Sequence, residues 1–373
     1  MKRVIILGIA LVINGCAVNA VDSRDNLDLK SLADPNDKNP KIFTLPVGQG
    51  NCQLLTCPTS QKAMIFDCGS TGINEELKNK HNLIKWSKKE IINRLVSIFD
   101  NEDIKRYNII LSHPDADHYN YITEIILQLS NERSLLPENV ILGGELEDYN
   151  SESMNSLLTF LKRDKSLKVI TFDNRYSSTP DAPLKELSCD KDIINSYILA
   201  ANVGTKDNDK SIVVAVNIPE KHSNGYISNR FALFSGDMTS ETVKFIEKKP
   251  IIYMKNVELV TAPHHGEYNT DVTKELADAT YTKVLLVSSG PRPDYGHPSC
   301  NTLNEFNNKT QLINTVNHRI GCFEKADTID GKKNVFYQND IYGRGVFETF
   351  ESGEIVIEFK AMEMTPSTKL IPN

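Results

Sequence analysis

The sequence predicts an α/β fold in one large domain that runs from Lys41 to Asn373. Short apolar or β-branched runs alternate with segments of helical periodicity along this stretch, which is typical of α/β proteins. The chain has 373 residues, of which 40% are hydrophobic and 24% charged, so it can bury a sizeable core and is not a disordered or collagen-like protein. No internal repeat or low-complexity tract is evident.

The first half of this domain alternates between short strands and helices. Gly48-Gln49-Gly50 and Pro58-Thr59-Ser60 are turn signals that separate three strand-like runs. The predicted elements are strands at 42–45, 52–56 and 63–66, a helix at 87–99, a strand at 107–111, a loop at 113–119 and a helix at 122–129.

The second half continues the alternation and closes with two more strands. Because Glu351-Ser352-Gly353 joins those last two strands, we expect them to form a C-terminal β-hairpin. The predicted elements are strands at 140–142, 167–172, 212–218, 231–234, 257–260, 284–288, 345–349 and 354–359, with helices at 240–247 and 271–278.

Residues 1–20 have the features of a secretory signal. Lys2 and Arg3 precede an apolar stretch that is too short to span a bilayer, and small residues follow it up to Ala20. Ile13-Asn14-Gly15-Cys16 is similar to the lipobox of bacterial lipoproteins, in which the cysteine carries lipid. Residues 21–40 are polar and are predicted to be a linker. We expect an exported protein, periplasmic or at the cell surface, that contacts a membrane only if Cys16 is a lipid anchor.

The number of cysteines is consistent with an exported protein. If Cys16 is lost with the signal or carries lipid, an even number remains, and paired cysteines persist in oxidising compartments. Cys52 and Cys68 lie on two strands of a predicted hairpin, so a bridge between them is geometrically possible. Six cysteines allow about fifteen pairings, and the sequence does not choose among them. The six are Cys52, Cys57, Cys68, Cys189, Cys300 and Cys322.

The strongest functional signal is the run His113-Pro114-Asp115-Ala116-Asp117-His118, which follows a predicted strand. Two imidazoles and two carboxylates so close together are unfavourable unless positive charge neutralises the carboxylates. In an extended loop Asp115 and Asp117 point to the same side, with His113 and His118 at the two ends. The run therefore predicts a metal site.

Three later segments place polar residues at or just after the ends of predicted strands. Ser235-Gly236-Asp237 adds a carboxylate, Pro263-His264-His265-Gly266 adds two imidazoles, and Tyr295-Gly296-His297-Pro298 adds one more. Ligands that come from the ends of several strands are a common way for a rigid scaffold to build a metal site.

In this order the segments resemble the metallo-β-lactamase family, and more narrowly the hydrolase domain of the ComEC-type competence DNA-uptake proteins. Pro46 to Asn51, Ile65 to Gly69 and Asn208 to Ile212 are similar to other parts of that domain, so the resemblance extends from about Lys41 to Cys322. It implies an αββα sandwich with a two-metal site along one edge.

The resemblance also implies a role for each residue. His113 and Asp115 would hold the first ion, and Asp117, His118 and His265 the second, with Asp237 bridging both. Asp117 and His297 would take part in catalysis, His297 near the scissile phosphate or the leaving group. Asp67 would lie behind the ligands and orient the first metal cage, which His113 and His118 close. His264 would lie beside the ligands and could contribute a donor to the first ion.

Several positions depart from the family pattern. Most of the superfamily has histidine where Asp115 stands, and another histidine between the first motif and the Gly-Asp strand. Only His222 lies in that interval, in a polar stretch that is typical of a surface. Glu267 follows His-His-Gly where the competence proteins have serine, and Asn51 replaces an aspartate. The missing histidine weakens the first metal site relative to the second, whereas Glu267 and Asn51 are expected to alter substrate choice or to weaken the site.

The activity implied is hydrolysis of a phosphodiester, in DNA or a nucleotide, by a water that two divalent ions activate. Asp115 makes the first site harder, which favours Mn²⁺ or Mg²⁺ relative to an all-histidine Zn²⁺ site, so the ions are expected to be Zn²⁺ or Mn²⁺. A lactam, lactone or ester hydrolase is an alternative, because one fold can host several reactions. An exported binding protein with a degenerate metal site is the non-enzymatic alternative.

The net charge limits the partners that the chain can bind. A formal charge of −7 excludes a protein that coats nucleic acid by bulk charge, because phosphate binding needs a basic surface. It allows a small site in which metal ions supply the positive charge. The sequence identifies no protein partner.

Overall fold

The structure is a computed structural model. It describes residues 39–149, 151–163, 167–172, 175–178, 183–189, 194–221, 226–247, 256–309, 312, 319–328, 331–339, 345–359 and 364–369. The predicted signal at 1–20 with Cys16, the linker up to residue 38, and His222 lie outside the described residues. In the described part, no helix is both long and apolar enough to cross a bilayer.

The strands and helices are numbered in chain order. The strands are β1 (Lys41–Thr44), β2 (Cys52–Cys57), β3 (Lys62–Cys68), β4 (Arg106–Leu111), β5 (Asn139–Leu142), β6 (Lys168–Ile170), β7 (Asn195–Ala200), β8 (Val213–Asn217), β9 (Glu220–Lys221), β10 (Ile227–Ser228), β11 (Phe231–Phe234), β12 (Val257–Thr261), β13 (Val284–Val287), β14 (Ile320–Thr328), β15 (Gly331–Asn339), β16 (Val346–Glu348), β17 (Glu354–Phe359) and β18 (Met364–Lys369). The helices are α1 (Glu75–His81), α2 (Lys88–Asn101), α3 (Ala116–Tyr119), α4 (Ile122–Arg133), α5 (Glu152–Arg163), α6 (Ser240–Glu247), α7 (Thr270–Ala279), α8 (Cys300–Lys309) and α9 (Thr349–Ser352).

Two large sheets form the centre of the domain. The first has the order β18-β17-β1-β2-β3-β4-β5-β6, with β3 to β6 parallel. The second has the order β16-β13-β12-β11-β8-β7, with β11, β12, β13 and β16 parallel. Parallel strands end at the same edge of a sheet, so loops that follow neighbouring strands meet there.

Apolar side chains divide the domain into four layers. One core cluster lies between the sheets and joins Met64 and Phe66 of the first sheet to β8, β11 and β12 of the second. Within this cluster the rings of Phe66 and Phe234 stack with their centroids 3.8 Å apart. A second cluster packs α2, α4 and α5 on the outer face of the first sheet. A third packs α6, α7 and α8 on the outer face of the second. The predicted αββα sandwich is confirmed.

A local sequence signal accounts for the start of α2. At the start of α2 the Ser87 side chain accepts from the Glu90 backbone N–H, and the Glu90 carboxylate accepts from the Ser87 N–H. This reciprocal cap satisfies two backbone donors that the first helical turn leaves unpaired. Ile91, Leu95 and Ile98 then face the core, as the helical periodicity predicts.

The six predicted cysteines are paired. Cys52–Cys68 joins β2 to β3, Cys57–Cys189 joins β2 to the segment before β7, and Cys300–Cys322 joins the start of α8 to β14. The Cys57–Cys189 bridge connects residues 132 positions apart. The prediction of disulfides is confirmed, and the structure supplies the pairing.

Two local predictions are wrong. The last predicted strands do not pair with each other: β16 pairs with β13 in the second sheet, while β17 pairs with β1 in the first and forms its hairpin with β18. The one-turn helix α9 connects the two sheets here instead of a hairpin turn. In addition, the predicted loop at 113–119 contains a helical turn, α3, because the His118 N–H bonds to the Asp115 carbonyl and the Asn120 N–H to the Ala116 carbonyl.

Candidate metal centre

The site forms where loops from both sheets meet at one edge of the sandwich. The first motif follows β4, and Asp67 lies near the end of β3, next to it in the first sheet. Asp237 follows β11, and the two adjacent histidines follow β12, its parallel neighbour in the second sheet. The topology therefore brings together residues that are far apart in the sequence, such as Asp67 and His265, which are 198 positions apart.

Asp237 is the centre of the arrangement, and four imidazoles surround its carboxylate. The side chain is buried, with 4% of its surface exposed. Oδ1 lies 3.2 Å from Nε2 of His118 and 3.8 Å from Nε2 of His265. Oδ2 lies 3.4 Å from Nε2 of His264 and 3.7 Å from Nε2 of His113. Each carboxylate oxygen thus faces two imidazoles.

The opposite ring nitrogen of each histidine is held by a neighbouring group. Such contacts fix the orientation of the ring and leave Nε2 directed inward, which is the usual arrangement of metal-binding histidines. The four contacts are His113 Nδ1 with Ser112 Oγ at 3.0 Å, His118 Nδ1 with Asp67 Oδ2 at 2.8 Å, His264 Nδ1 with Glu267 Oε2 at 2.6 Å, and His265 Nδ1 with the Ser288 carbonyl at 2.9 Å.

These contacts determine where the lone pairs lie. A carbonyl or carboxylate oxygen only accepts, so the Nδ1 atoms of His118 and His265 carry hydrogen. When both rings are without a second proton, their Nε2 lone pairs face each other, and the two Nε2 atoms are 3.2 Å apart. Two lone pairs at this distance repel unless a proton or a metal ion lies between them. The donor set therefore fits a metal ion.

The two carboxylates of the first motif lie on opposite sides of this centre. Asp115 Oδ2 is 3.3 Å from His113 Nε2, and its side chain is 44% exposed. Asp117 Oδ2 is 3.4 Å from His265 Nε2, and its side chain is 18% exposed. Asp115 thus faces the half that contains His113, and Asp117 faces the half that contains His265.

Two compact groups of donor atoms could hold a metal ion. His113, His118 and Asp237 form one group, and Asp117, His118 and His265 form the other, with the donor atoms of each group within 4.8 Å of one another. The His113 Nε2 and Asp237 Oδ1 atoms are buried without a hydrogen-bond partner. Buried polar atoms without partners are unfavourable, and a bound cation would satisfy both.

The charges of the centre reinforce one another. Burial alone would lower the pKa of His118, but the Asp237 and Asp67 carboxylates outweigh it and raise that pKa well above its usual value. Burial alone would raise the pKa of Asp237, but the surrounding imidazoles hold it well below its usual value. The pKa of His264 rises to about 9, because Asp237 and Glu267 outweigh its burial. The carboxylates therefore stabilise positive charge, whether it comes from protons or from metal.

Asp67 directly contacts one histidine of the first motif. Its carboxylate oxygen Oδ2 lies 2.8 Å from His118 Nδ1. It reaches His113 only through Ser112, whose hydroxyl bonds to Asp67 Oδ2 at 2.8 Å and lies 3.0 Å from His113 Nδ1. Asn51 also donates to Asp67 Oδ2, at 3.1 Å. Asp67 thus supports the whole first motif.

His297 lies at the border of the centre. Its ring is 5.1 Å from that of His264 and 6.0 Å from that of Tyr295, and its Nδ1 atom is buried without a hydrogen-bond partner. Burial, followed by the charges of His264 and His265, lowers its pKa to about 4. His297 is in neither of the two donor groups that the described residues form.

Two supporting residues were not singled out from the sequence. Ser112 directly precedes His113, and its position before the motif was an available signal for its contacts with both motif histidines. The Ser288 carbonyl fixes His265, while its hydroxyl donates to the Gly50 carbonyl at 2.8 Å. No sequence signal identifies Ser288, because a backbone carbonyl carries no residue-type information.

Comparisons with known proteins find distant structural likenesses. No protein-family model and no curated protein matches the chain. Among solved structures, unliganded yeast PDE1 is similar with a TM-score of 0.40 and 12% sequence identity, over 74% of this chain and 96% of the other. A long form of RNase Z from yeast is similar with a TM-score of 0.39 and 15% identity, over 70% of this chain and 39% of the other.

Proposed function

We propose that this protein is an exported metal-dependent hydrolase that cleaves a phosphodiester, in DNA or a nucleotide. The observation that carries the proposal is the arrangement around Asp237, in which each carboxylate oxygen faces two inward-directed imidazole nitrogens. A carboxylate placed in this way is suited to bridge two cations. Carboxylate and imidazole donors together suit Zn²⁺ and Mn²⁺.

Two divalent ions bound here would supply a nucleophilic water at neutral pH and neutralise charge on phosphoryl oxygens. The protein's own part is to hold the donors in place before substrate arrives. Asp67 and Ser112 fix the motif histidines, and the Ser288 carbonyl fixes His265. Asp117 faces the centre with an exposed edge, so it can both bind an ion and orient a water.

His297 is proposed to orient the scissile phosphate or the leaving group. Its ring borders His264 at the edge of the centre, and its Nδ1 atom has no hydrogen-bond partner among the described residues. A buried nitrogen without a partner is available to a substrate oxygen. A role as the acid that protonates the leaving oxygen remains the alternative for the same residue, and His297→Gln separates the two. The glutamine retains an N–H donor but cannot transfer a proton, so an orienting role would be partly preserved.

Export is proposed from the paired cysteines together with the signal-like N-terminus. Disulfides persist in oxidising compartments, and the described residues contain three. Whether Cys16 also carries lipid can be tested by mass spectrometry of the mature protein from its native membrane fraction. An acylated N-terminal cysteine is the result expected for an anchored protein, and a chain beginning after Ala20 would contradict the anchor.

The activity is tested with a panel of substrates and one matched pair of variants. The purified protein, loaded with Mn²⁺ or Zn²⁺, is expected to hydrolyse bis-p-nitrophenyl phosphate and single-stranded DNA but not nitrocefin, and to lose activity with EDTA. Asp117→Asn should abolish hydrolysis, because it removes a charged donor from the centre. Asp207→Asn, at an exposed carboxylate paired with Lys210, should not. Full phosphodiesterase activity in excess EDTA would contradict the proposal, and hydrolysis of nitrocefin alone would favour the lactam alternative.

A further inference from the structure

We propose that His264 is a ligand of the first metal ion, together with His113, Asp115 and Asp237. The inference rests on the metal-dependent function proposed above and adds to it the composition of the first site. His264 was expected from the sequence to lie beside the ligands, with a possible contribution to this ion. The structure places its Nε2 atom 3.4 Å from Asp237 Oδ2, closer than the 3.7 Å that separates His113 Nε2 from the same oxygen.

With His264 included, the two halves of the centre have matching chemistry. The half at Asp237 Oδ2 contains two imidazoles and one motif carboxylate, His113, His264 and Asp115. The half at Asp237 Oδ1 also contains two imidazoles and one motif carboxylate. Each ion would then have two nitrogen donors, one carboxylate of its own and one oxygen of the bridging carboxylate. Without His264 the first half would have His113 as its own imidazole and would share His118, which belongs to both compact donor groups.

The backbone explains how two adjacent histidines reach the two oxygens of one carboxylate. Successive side chains of an extended strand point to opposite faces, so neighbours rarely approach one group. Here His264 and His265 both have left-handed conformations, with φ of 47° and 55°. This conformation is uncommon outside glycine and asparagine, and strained backbone of this kind concentrates at functional sites. The His264 N–H is anchored 3.1 Å from the Gly236 carbonyl, next to Asp237.

Glu267 fixes the ring of His264 in the orientation that a ligand needs. Its Oε2 atom lies 2.6 Å from His264 Nδ1 and, as a carboxylate, can only accept. The hydrogen of neutral His264 is therefore on Nδ1, and the Nε2 lone pair faces the Asp237 oxygen. Two acceptors that face each other need a cation between them. The contact repeats that of Asp67 with His118 on the other half, so Glu267 is a positioning residue for the first site.

The first half is also the more open one. The side chains of His264 and Asp115 are 31% and 44% exposed, whereas His118 and His265 are buried. Neither His264 nor Asp115 belongs to the compact donor groups. His264 lies 3.4 Å from Asp237, and Asp115 lies 3.3 Å from His113. An open edge is what a catalytic metal site needs in order to admit a substrate. The half that contains His264 and Asp115 would therefore be the side from which a substrate reaches the centre.

A simpler account is that His264 is a charged imidazolium between Asp237 and Glu267 and binds no metal. Metal content separates the two accounts without reference to activity. The protein is stripped with chelator, reloaded with Co²⁺ or Zn²⁺, and analysed for ions per chain and for Co²⁺ absorption. We expect two ions in the unmodified protein and one in His264→Gly, with the second ion restored by added imidazole.

Glycine is the informative replacement because it adopts the left-handed conformation without strain, so metal-free His264→Gly should fold and melt like the metal-free unmodified protein. His265→Gly is the matched variant and should lose the other ion. Glu267→Gln should keep the ring in place but weaken binding of one ion by about 10–100-fold, the usual effect of losing such a support. His81→Asn, at a histidine that contacts Gln338, is the control and should retain two ions.

The outcomes separate this inference from the proposed function. If His264→Gly retains as many ions as the unmodified protein, with unchanged affinity, His264 is not a ligand, and hydrolysis of bis-p-nitrophenyl phosphate can still establish the function. If the unmodified protein binds two ions, loses one with His264→Gly and hydrolyses no phosphodiester, the ligand assignment holds and the proposed function fails. Failure of imidazole to restore the second ion would also count against direct ligation.

Discussion

The Asp67 carboxylate lies 2.8 Å from Nδ1 of His118, and all the groups that it contacts are hydrogen-bond donors. Oδ1 accepts from the Ser112 N–H at 2.6 Å, and Oδ2 accepts from the Ser112 hydroxyl and the Asn51 amide. Asp67 itself has a left-handed backbone, with φ of 54°. It therefore connects the end of β3 to the first motif and stabilises positive charge on His118.

Asp67→Asn should weaken binding of the ion held by His118 by about 10–100-fold. Asparagine tolerates the left-handed backbone, but its amide nitrogen must then face a hydrogen-bond donor of Ser112, Asn51 or His118. The negative charge is also lost. Competition with a chromophoric chelator measures the affinity. Asp207→Asn, which also removes a carboxylate charge but at an exposed position, should leave the affinity unchanged. Equal affinities in both variants would show that Asp67 does not support the ligand.

Gly69→Ala should displace the first motif and reduce metal binding. A methyl group at Gly69 would lie 2.7 Å from the Ala116 carbonyl oxygen and 2.8 Å from the Tyr119 nitrogen, and backbone atoms of a short helix cannot move aside cheaply. We expect a loss of about 1–3 kcal/mol in stability, typical of overpacking, with weaker metal binding.

Thermal unfolding and metal titration of Gly69→Ala would test this expectation. Thr71→Ala is the control in the same loop, since it adds no atom against the motif and its side chain is exposed. If Gly69→Ala bound metal as tightly as the unmodified protein, the motif would not depend on this close approach.

The layered fold and the residues of the centre could be predicted because their signals are local. An apolar run that ends in a polar group predicts both a strand and the place where its loop begins, so the segments at Asp237 and His265 were found from short stretches of sequence. Parallel strands then bring those loops to one edge. Long-range geometry was needed only to show which atoms face each other.

What could not be predicted depends on pairing between distant segments. The run Val346–Glu348 suits either sheet, so the sequence favoured the nearby Glu354–Phe359 as its partner, whereas the structure pairs it with β13. The long hairpin of β14 and β15 was missed because charged residues interrupt its apolar pattern. The approach of His264 to Asp237 depends on two left-handed residues, which Pro263-His264-His265-Gly266 does not reveal.

The Cys57–Cys189 disulfide should contribute most of the three to stability. It closes a loop of 132 positions, compared with 16 for Cys52–Cys68 and 22 for Cys300–Cys322. In the chain-entropy account of disulfides, loops of these lengths correspond to about 5 kcal/mol for the first and about 3 kcal/mol for each of the others. The difference arises because a longer loop restricts the unfolded chain more.

Replacing each pair by two alanines and measuring unfolding in guanidinium chloride tests this order. The three double variants serve as controls for one another, because every one of them exchanges two buried cysteines for alanine. Equal losses for all three pairs would indicate that local packing, and not loop closure, determines what these disulfides contribute.

Glu348 should make the protein less stable as pH rises. This residue follows the apolar part of β16, is fully buried, and accepts one hydrogen bond, from the Gly321 N–H at 2.7 Å. Burial and then the charge of Glu351 raise its pKa well above 4.5. The folded state therefore keeps the proton to a higher pH than the unfolded state does. Its stabilising contribution is complete below about pH 4.5 and is lost, by at most about 1.4 kcal/mol per pH unit, as pH rises toward the folded-state pKa.

Glutamine at position 348 does not ionise, so the stability of Glu348→Gln does not depend on this proton. The free energy of unfolding of the variant, minus that of the unmodified protein, should therefore increase between pH 5 and pH 8. Chemical denaturation at several pH values, in the presence of EDTA, measures the difference. Glu354→Gln is the matched control, because Glu354 is equally buried but pairs with Arg94 at 2.7 Å. Glu354→Gln should be destabilised at pH 8, unlike Glu348→Gln, since it leaves the Arg94 guanidinium without its carboxylate partner. Parallel pH profiles for Glu348→Gln and the unmodified protein would mean that Glu348 ionises in the folded state as readily as in the unfolded state.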